Sequence, residues 1–194
     1  SMHMIRLNRC DFPATTIDES MPPSGGPAAL RRSQAKRKQK DMALDEATAA
    51  FLAQAAEAGG KPLTEQTPEE LRTMNDGFIE LYGPGPEMNS EDVAVPTADG
   101  SSINVRVLTP SDAPRGVIVY YHGGGWMIGS ADQFDTLGRQ IADATGCTVL
   151  LPEYRLAPEH LYPTAANDAW DALTWAADRF TGLPLMVAGD SSGG

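Results

Sequence analysis

Three short apolar runs alternate with amphipathic segments in the second half of the chain, and this alternation restricts the fold most strongly. The runs cover 117–121, 148–151 and 185–188, with helices predicted between them at about 132–145 and 165–180. Strands that are apolar at every position are typical of a parallel sheet whose two faces are both covered. The sequence therefore predicts an α/β fold, with a mostly parallel sheet and helices on both of its faces.

The last of these helices has one apolar stripe and several acidic residues. The helical period predicts that Trp170 lies on the buried stripe. Asp168, Asp171 and Asp178 are expected to form its polar, solvent-facing side.

Before the parallel strands, the hydrophobic period changes from helical to alternating. Val93 and Val95 begin an alternation that resumes after a four-residue turn, over 103–108. A period of two on both sides of a short turn predicts a β-hairpin with antiparallel pairing.

Two amphipathic helices are predicted ahead of the hairpin, at about 45–58 and 67–81. The second begins with Thr67, a proline, and Glu70, which is the pattern of a capping box. A helix pair in front of the sheet must cover apolar surface, either by packing on the core or as a cap over a site, and we expect the cap.

The chain is predicted to have three parts. Residues 1–40 are expected to be a tag-like, disordered leader, because they are rich in basic residues, Pro and Gly. Residues 41–86 hold the cap helices, and residues 87–194 form the N-terminal portion of the α/β core.

Composition limits the expected partners and the expected location. The formal net charge is −11 and the basic residues concentrate in the leader, so the acidic body should repel nucleic acid and anionic membranes. No stretch reaches the ~20 apolar residues of a membrane-spanning helix. The two cysteines, Cys10 and Cys147, lack metal or redox spacing and are expected to be free thiols. These features predict a cytoplasmic protein that binds neither nucleic acid nor membrane.

Two glycine-rich motifs carry the chemistry, and each directly follows an apolar strand. The run at 189–194, Gly-Asp-Ser-Ser-Gly-Gly, fits the turn that lifts a serine from a strand onto the start of a helix. We expect Ser191 to be the catalytic nucleophile. Gly189, Asp190 and Gly193 would form the sharp turn around it, because glycines avoid collisions there.

The second motif, His122-Gly123-Gly124-Gly125-Trp126, is predicted to form an oxyanion hole. Such a hole needs several N–H groups that converge on one point, and backbone without Cβ can approach closely. We assign this role to Gly124 and Gly125, with Gly123 as the alternate, and to the N–H of Ser192. His122 is expected to support the loop. The two motifs together indicate acyl-ester chemistry.

These motifs, with Tyr154-Arg155-Leu156-Ala157-Pro158-Glu159-His160 between them, resemble the hormone-sensitive-lipase-like family of α/β-hydrolases, bacterial carboxylesterases above all. The similarity extends from about Asp45 to Gly194. It implies an α/β-hydrolase fold with an N-terminal helical cap, no metal or cofactor, and a small-molecule ester substrate of short to medium acyl chain.

The chain departs from the family pattern in two respects. Ser192 stands where the family often has Ala, which should be tolerated because the backbone N–H does the chemistry. The family also completes its triad with an acid and a histidine after the nucleophile. His122 and His160 precede Ser191, and neither is expected to be the base, while Glu159 is expected to be a structural anchor. We therefore expect the fold to be incomplete in this chain, with the acid and histidine supplied by a C-terminal remainder of the hydrolase, as a separate polypeptide.

The leading prediction is a serine carboxylesterase or lipase-like hydrolase. The alternatives are a non-catalytic small-molecule receptor on the same fold, and an amidase or peptidase that uses the same serine. The sequence leaves open whether the protein forms a homodimer.

Overall fold

The computed structural model describes residues 44–59 and 61–194. The leader predicted at 1–40 lies outside the described residues. The chain divides into two units, Ser1–Gly59 and Gly60–Gly194.

The described part of the first unit is one helix, α1 (Glu46–Ala58). Asp45 caps its N-terminus, since one carboxylate oxygen accepts a hydrogen bond from the Thr48 N–H at 3.0 Å. The helix predicted at this place in the sequence is confirmed.

The second unit begins with two short helices, α2 (Pro68–Asp76) and α3 (Ile79–Tyr82). The predicted capping box is present at the start of α2. The Thr67 hydroxyl accepts from the Glu70 N–H at 3.2 Å, and the Glu70 carboxylate accepts from the Thr67 N–H at 2.6 Å. Two N–H groups that lack helical partners are thereby satisfied.

The prediction of one continuous helix as far as Leu81 is wrong. The helix ends before Gly77, whose N–H bonds back to Thr73 at 3.3 Å, and Leu81 is 72% exposed. Glycine weakens a helix interior by about 1 kcal/mol relative to Ala. The apolar stripe of α2 therefore does not continue in phase across the break.

Five strands form one mixed sheet in the second unit. They are β1 (Asn89–Pro96), β2 (Ser102–Thr109), β3 (Val117–Tyr121), β4 (Thr148–Pro152) and β5 (Leu185–Gly189). Their order across the sheet is β1-β2-β4-β3-β5. β1 and β2 pair as an antiparallel hairpin, β2 pairs antiparallel with β4, and β3 lies parallel to both β4 and β5. The predicted hairpin, the parallel strands and the α/β fold class are confirmed.

Two longer helices, α4 (Ala131–Thr145) and α5 (Thr164–Arg179), cover the sheet. Alternate residues of β3 point to opposite faces, so Val119 packs in one apolar cluster with Ala172 of α5. Ile118 packs in the other cluster, on the side of α4. All residues of β3 and β4 are buried, as expected for strands covered on both faces. Within 44–59 and 61–194, no helix combines the length and the apolar character needed to cross a membrane.

The predicted orientation of α5 is wrong. Trp170 is 68% exposed, whereas Asp168 is fully buried together with Ala172 and Ala176, four and eight residues further along the helix. The prediction assumed that every acidic residue of this helix faces water, and it therefore assigned the buried face to the wrong side of the helix. Asp168 is instead paired with the Arg155 guanidinium, and a paired carboxylate can occupy the buried face.

Candidate active site

A sharp turn at the end of β5 carries the predicted nucleophile. Ser191 has a φ of 50°, in the left-handed region that non-glycine residues rarely occupy. The Gly193 N–H closes the turn by donating to the Asp190 carbonyl at 2.8 Å. A Cβ at Gly189 would lie 2.8 Å from the Tyr121 carbonyl oxygen, so this backbone has no room for a side chain. Ser191–Gly193 form a single 3₁₀ turn after this backbone.

The glycine-rich loop follows β3 and faces this turn. The Gly125 N–H donates to the Ser192 hydroxyl oxygen at 2.9 Å, which brings the two motifs into direct contact. Gly124 has a φ of 128° and lies against Ile128, where a Cβ would collide with backbone. Only glycine fits at this position.

The peptide between Gly124 and Gly125 has a fixed orientation. Its carbonyl oxygen accepts from the N–H groups of Met127 and Ile128, each at 3.1 Å. This peptide is not one of the cis bonds, and in a trans peptide the N–H points opposite to the C=O. The Gly125 N–H is therefore directed away from the loop interior and toward the serine turn.

Asp190 links the turn to the loop on the other side. One of its carboxylate oxygens accepts from the Gly123 N–H at 2.8 Å and from the Tyr120 hydroxyl at 3.1 Å. The Gly123 N–H is thus engaged inside the protein. This engagement disfavours the alternate Gly123 as an oxyanion donor, whereas the Gly125 N–H is held by a hydroxyl of the serine turn itself, that of Ser192.

His122 lies beneath the loop and is 2% exposed. Its Nδ1 is 2.8 Å from the Gly123 carbonyl oxygen, and because a carbonyl only accepts, Nδ1 carries the hydrogen. Burial lowers the pKa of the imidazole, so it is neutral near pH 7. His122 thus contacts the backbone of the glycine loop at Gly123 and Gly129.

Tyr154 completes the support of His122. The two rings stack with their centroids 4.3 Å apart, and the Tyr154 hydroxyl donates to the His122 carbonyl at 2.6 Å. Burial raises the pKa of Tyr154 to about 12, while a hydrogen bond with Ser192 acts in the opposite direction. The phenol is therefore neutral at any ordinary working pH.

A cavity of about 580 Å³ opens beside Ser191. Ser191, Asp190, Gly123 and Gly124 line one wall, so the predicted nucleophile and one predicted oxyanion donor face the same space. Ile128 of the glycine-rich loop also lines it, and its other lining residues come from the helices, namely Asn75, Tyr82, Gln133, Phe134, Thr136, Leu137 and Gln140. The volume is in the range of small-molecule sites.

No general base for Ser191 emerges from the part of the chain that the structure describes. Nδ1 of His122 is held by the Gly123 carbonyl, and His160 is exposed, with its backbone N–H bonded to Leu156. Glu159 pairs with Arg72, which agrees with its predicted role as an anchor. Across 44–59 and 61–194, no cluster of three or more His, Cys, Asp or Glu could hold a metal ion.

Sequence reasoning missed the residues that connect the two motifs. Arg72, Tyr120 and Tyr154 contact the loop or the turn from outside both motifs. Tyr154 and Glu159 belong to the segment at 154–160 that carries the family resemblance. The sequence therefore showed that Glu159 is an acid in need of a cationic partner. It did not show that the partner is Arg72, 87 residues away.

Comparison with known proteins decides the family. A family model described as the alpha/beta hydrolase fold matches residues 118–194, which include both glycine motifs. The chain belongs to the α/β-hydrolase family. The resemblance predicted from the motifs is thereby confirmed.

Several named relatives are similar to the chain. An ethyl acetate hydrolase of Pseudomonas putida is 36% identical over 169 residues, covering 79% of this chain and 53% of the relative. The carboxylesterase NlhH of Mycobacterium tuberculosis is 40% identical over 118 residues, covering 56% of this chain and 36% of the relative. The structure of a hyperthermophilic esterase from the archaeon Pyrobaculum calidifontis is 34% identical, with a TM-score of 0.70, covering 78% of this chain and 51% of that one. The chain thus spans about half the length of these relatives, or less.

Proposed function

We propose that this α/β-hydrolase is a carboxylic ester hydrolase that acts on short- to medium-chain acyl esters. The observation that carries the proposal is the contact between the two glycine motifs. The Gly125 N–H reaches the turn that bears Ser191, and Ser191 shares a cavity with Gly124. A nucleophile beside converging N–H donors is the arrangement that acyl transfer needs. The relatives named as ester hydrolases add support.

In the proposed reaction the Ser191 hydroxyl oxygen attacks the acyl carbon. The carbonyl oxygen becomes an oxyanion, and the N–H groups of Gly124, Gly125 and Ser192 donate to it. Removal of one such donor typically lowers turnover by about 10²–10³-fold. The alcohol then leaves, and water releases the acid from the acyl-serine.

A histidine outside this chain takes the proton from Ser191 in this proposal, and an Asp or Glu orients that histidine. We propose that a C-terminal part of the same hydrolase supplies both, as a separate polypeptide. Two observations support this. The described histidines are engaged elsewhere or exposed, and among the described strands β5 is paired with β3 alone.

The test is ester hydrolysis by this chain assembled with the polypeptide that supplies the base. We expect p-nitrophenyl butyrate to be hydrolysed, and Ser191→Ala to lower kcat by about 10⁴-fold or more, since the nucleophile is lost. Ser90→Ala, an exposed serine on β1, is the matched control and should leave kcat unchanged. A fluorophosphonate probe should label Ser191, read by peptide mass.

Two outcomes contradict the proposal. If the assembled protein binds esters without turnover, the receptor alternative is favoured. If anilides are hydrolysed faster than the matching phenyl esters, the amidase alternative is favoured.

We also propose a cytoplasmic location. Cys147 is a free, buried thiol, which fits a reducing compartment. Cell fractionation followed by detection with an antibody tests this, and recovery with extracellular or membrane fractions would contradict it.

A further inference from the structure

Arg72 of α2 binds two loops that border the glycine motif. Its Nε donates to the Met127 carbonyl at 2.8 Å, and one terminal nitrogen donates to the Ala157 carbonyl at 2.9 Å. Both terminal nitrogens donate to the two carboxylate oxygens of Glu159, each at 2.8 Å. The side chain thus makes four hydrogen bonds, which is close to its full donor capacity.

The Met127 carbonyl belongs to the peptide that precedes Ile128. The N–H of this same peptide donates to the Gly124 carbonyl. The peptide group between Met127 and Ile128 therefore accepts a hydrogen bond from Arg72 at its oxygen and donates one to Gly124 from its nitrogen.

The preceding peptide, between Trp126 and Met127, is held in the same way. Its oxygen accepts from the Ala157 N–H at 2.8 Å, and its N–H also donates to the Gly124 carbonyl. Since Arg72 also binds the Ala157 carbonyl, it restrains both peptides that fix the Gly124 oxygen. The orientation of the Gly125 N–H follows from that oxygen, because the peptide is planar and trans.

The geometry points to Arg72 as a positioning residue for the oxyanion donors. It holds one of the two peptides that bind the Gly124 oxygen directly, and the other through Ala157. This inference rests on the proposed ester hydrolysis, in which the Gly125 N–H exchanges its hydrogen bond to the Ser192 hydroxyl for one to the oxyanion.

Arg72 and Glu159 stay charged over the pH range in which the positioning role of Arg72 would be tested. The hydrogen bonds from Arg72 lower the pKa of Glu159 to about 2, and those to Glu159 raise the pKa of Arg72. Both groups are therefore charged at any working pH. A lysine could not replace Arg72, because one ammonium cannot bind a carboxylate bidentately and also reach two carbonyls.

A purely structural role for Arg72 is the competing explanation. Arg72 ties α2 to the rest of its unit, and so does the contact of Asn75 with Gln133. A residue that only fastens α2 would change the stability of the protein, and would not change kcat in the folded protein.

The experiment compares Arg72→Met and Arg72→Lys with the unsubstituted protein, assembled with the polypeptide that supplies the base. Arg139→Met is the matched control, since Arg139 is also part-buried and paired with an acid, Asp135. Because misplacing a catalytic group by 1 Å can cost about 10²-fold, we expect Arg72→Met to lower kcat for p-nitrophenyl butyrate by about 10- to 100-fold. KM should stay within about twofold, which indicates a loss specific to the transition state. Arg72→Lys should give an intermediate loss, and Arg139→Met none.

Amide hydrogen exchange in this chain gives a second readout that does not depend on activity. Arg72→Met should speed exchange at Met127 and Ile128, whose N–H groups bind the Gly124 carbonyl, and Arg139→Met should not. Unchanged exchange at these amides overturns the inference, and so does unchanged kcat in an active enzyme. If exchange responds but the unsubstituted protein hydrolyses no ester, the positioning geometry is supported and the proposed function fails.

Discussion

The imidazole of His122 is enclosed between two aromatic rings and the backbone of the glycine loop. Tyr154 stacks on it, the Phe134 ring lies 5.4 Å away between centroids, and a Cβ at Gly129 would collide with it. Asp190 is held by hydrogen bonds instead of by aromatic packing. Its partly buried carboxylate accepts from the Tyr120 hydroxyl and from the Gly123 N–H. The Asp190 side chain thus connects the serine turn to the glycine loop.

The titration of His122 provides a test at this scale. Burial lowers its pKa below the ordinary 6.5, because the imidazolium form loses hydration. As pH falls, the unfolded chain takes up this proton first. The contribution to the free energy of unfolding is therefore fully present above about pH 6.5, and it is lost as pH falls from there toward the folded-state pKa.

The measurement is NMR of the imidazole C2–H resonance against pH, assigned by its disappearance in His122→Asn. We expect a midpoint below 6.5. A midpoint at or above 6.5 would show that the imidazolium is tolerated in the loop, contrary to the geometry.

An ion pair between a loop and α5 determines how this helix meets the sheet. The Asp168 carboxylate accepts from the Arg155 backbone N–H at 2.9 Å and from two guanidinium nitrogens, at 2.9 and 2.6 Å. Arg155 also reaches Asp99 in the turn of the β-hairpin at 2.8 Å. Hairpin, loop and helix are therefore connected through one arginine, in the loop that follows β4.

We expect Asp168→Ala to destabilise the protein by about 3–5 kcal/mol, because it leaves the Arg155 charge without its buried partner. The free energy of unfolding is measured by urea denaturation followed by circular dichroism. Asp178→Ala is the control, since Asp178 is exposed on the same helix, and it should change stability by less than about 0.5 kcal/mol. Equal effects of the two substitutions would refute the anchoring role of Asp168.

At the scale of the whole molecule, the sheet is unequally covered. β3 and β4 are buried along their whole length, whereas β5 lies at one edge with Met186 and Val187 exposed by 43% and 57%. Parallel strands are normally buried on both faces, and an exposed apolar edge favours association with other chains. β5, the strand that leads to Ser191, is thus less protected than the other two parallel strands.

We expect the 194-residue chain alone to self-associate through this strand, and Val187→Lys to reduce the association, because an edge lysine opposes strand pairing. Analytical ultracentrifugation over a range of concentrations measures it. Ser101→Lys adds the same charge in an exposed turn and should have little effect. A monodisperse monomer formed by the unsubstituted chain at every concentration would contradict the prediction.

Local patterns in the sequence determined the elements and the two motifs. The capping box at Thr67, the alternation of the hairpin, the apolar strands and the glycine turns depend on neighbouring residues, so their identity was readable in advance. The nucleophile turn is one such case, because only glycine fits at Gly189 and Gly193.

Only the tertiary structure decided which residues join these parts. Asp168 was expected to face solvent, and Arg72 had no expected role, because both have partners distant in sequence. A charged side chain is stable in a partly buried position only where an oppositely charged or hydrogen-bonding partner contacts it. A contact between residues distant in sequence produces no periodic pattern in the sequence. The sequence thus placed Ser191 and the glycine loop each at the end of a strand. The tertiary structure made these two strands neighbours, and long-range hydrogen bonds set the direction of the N–H groups.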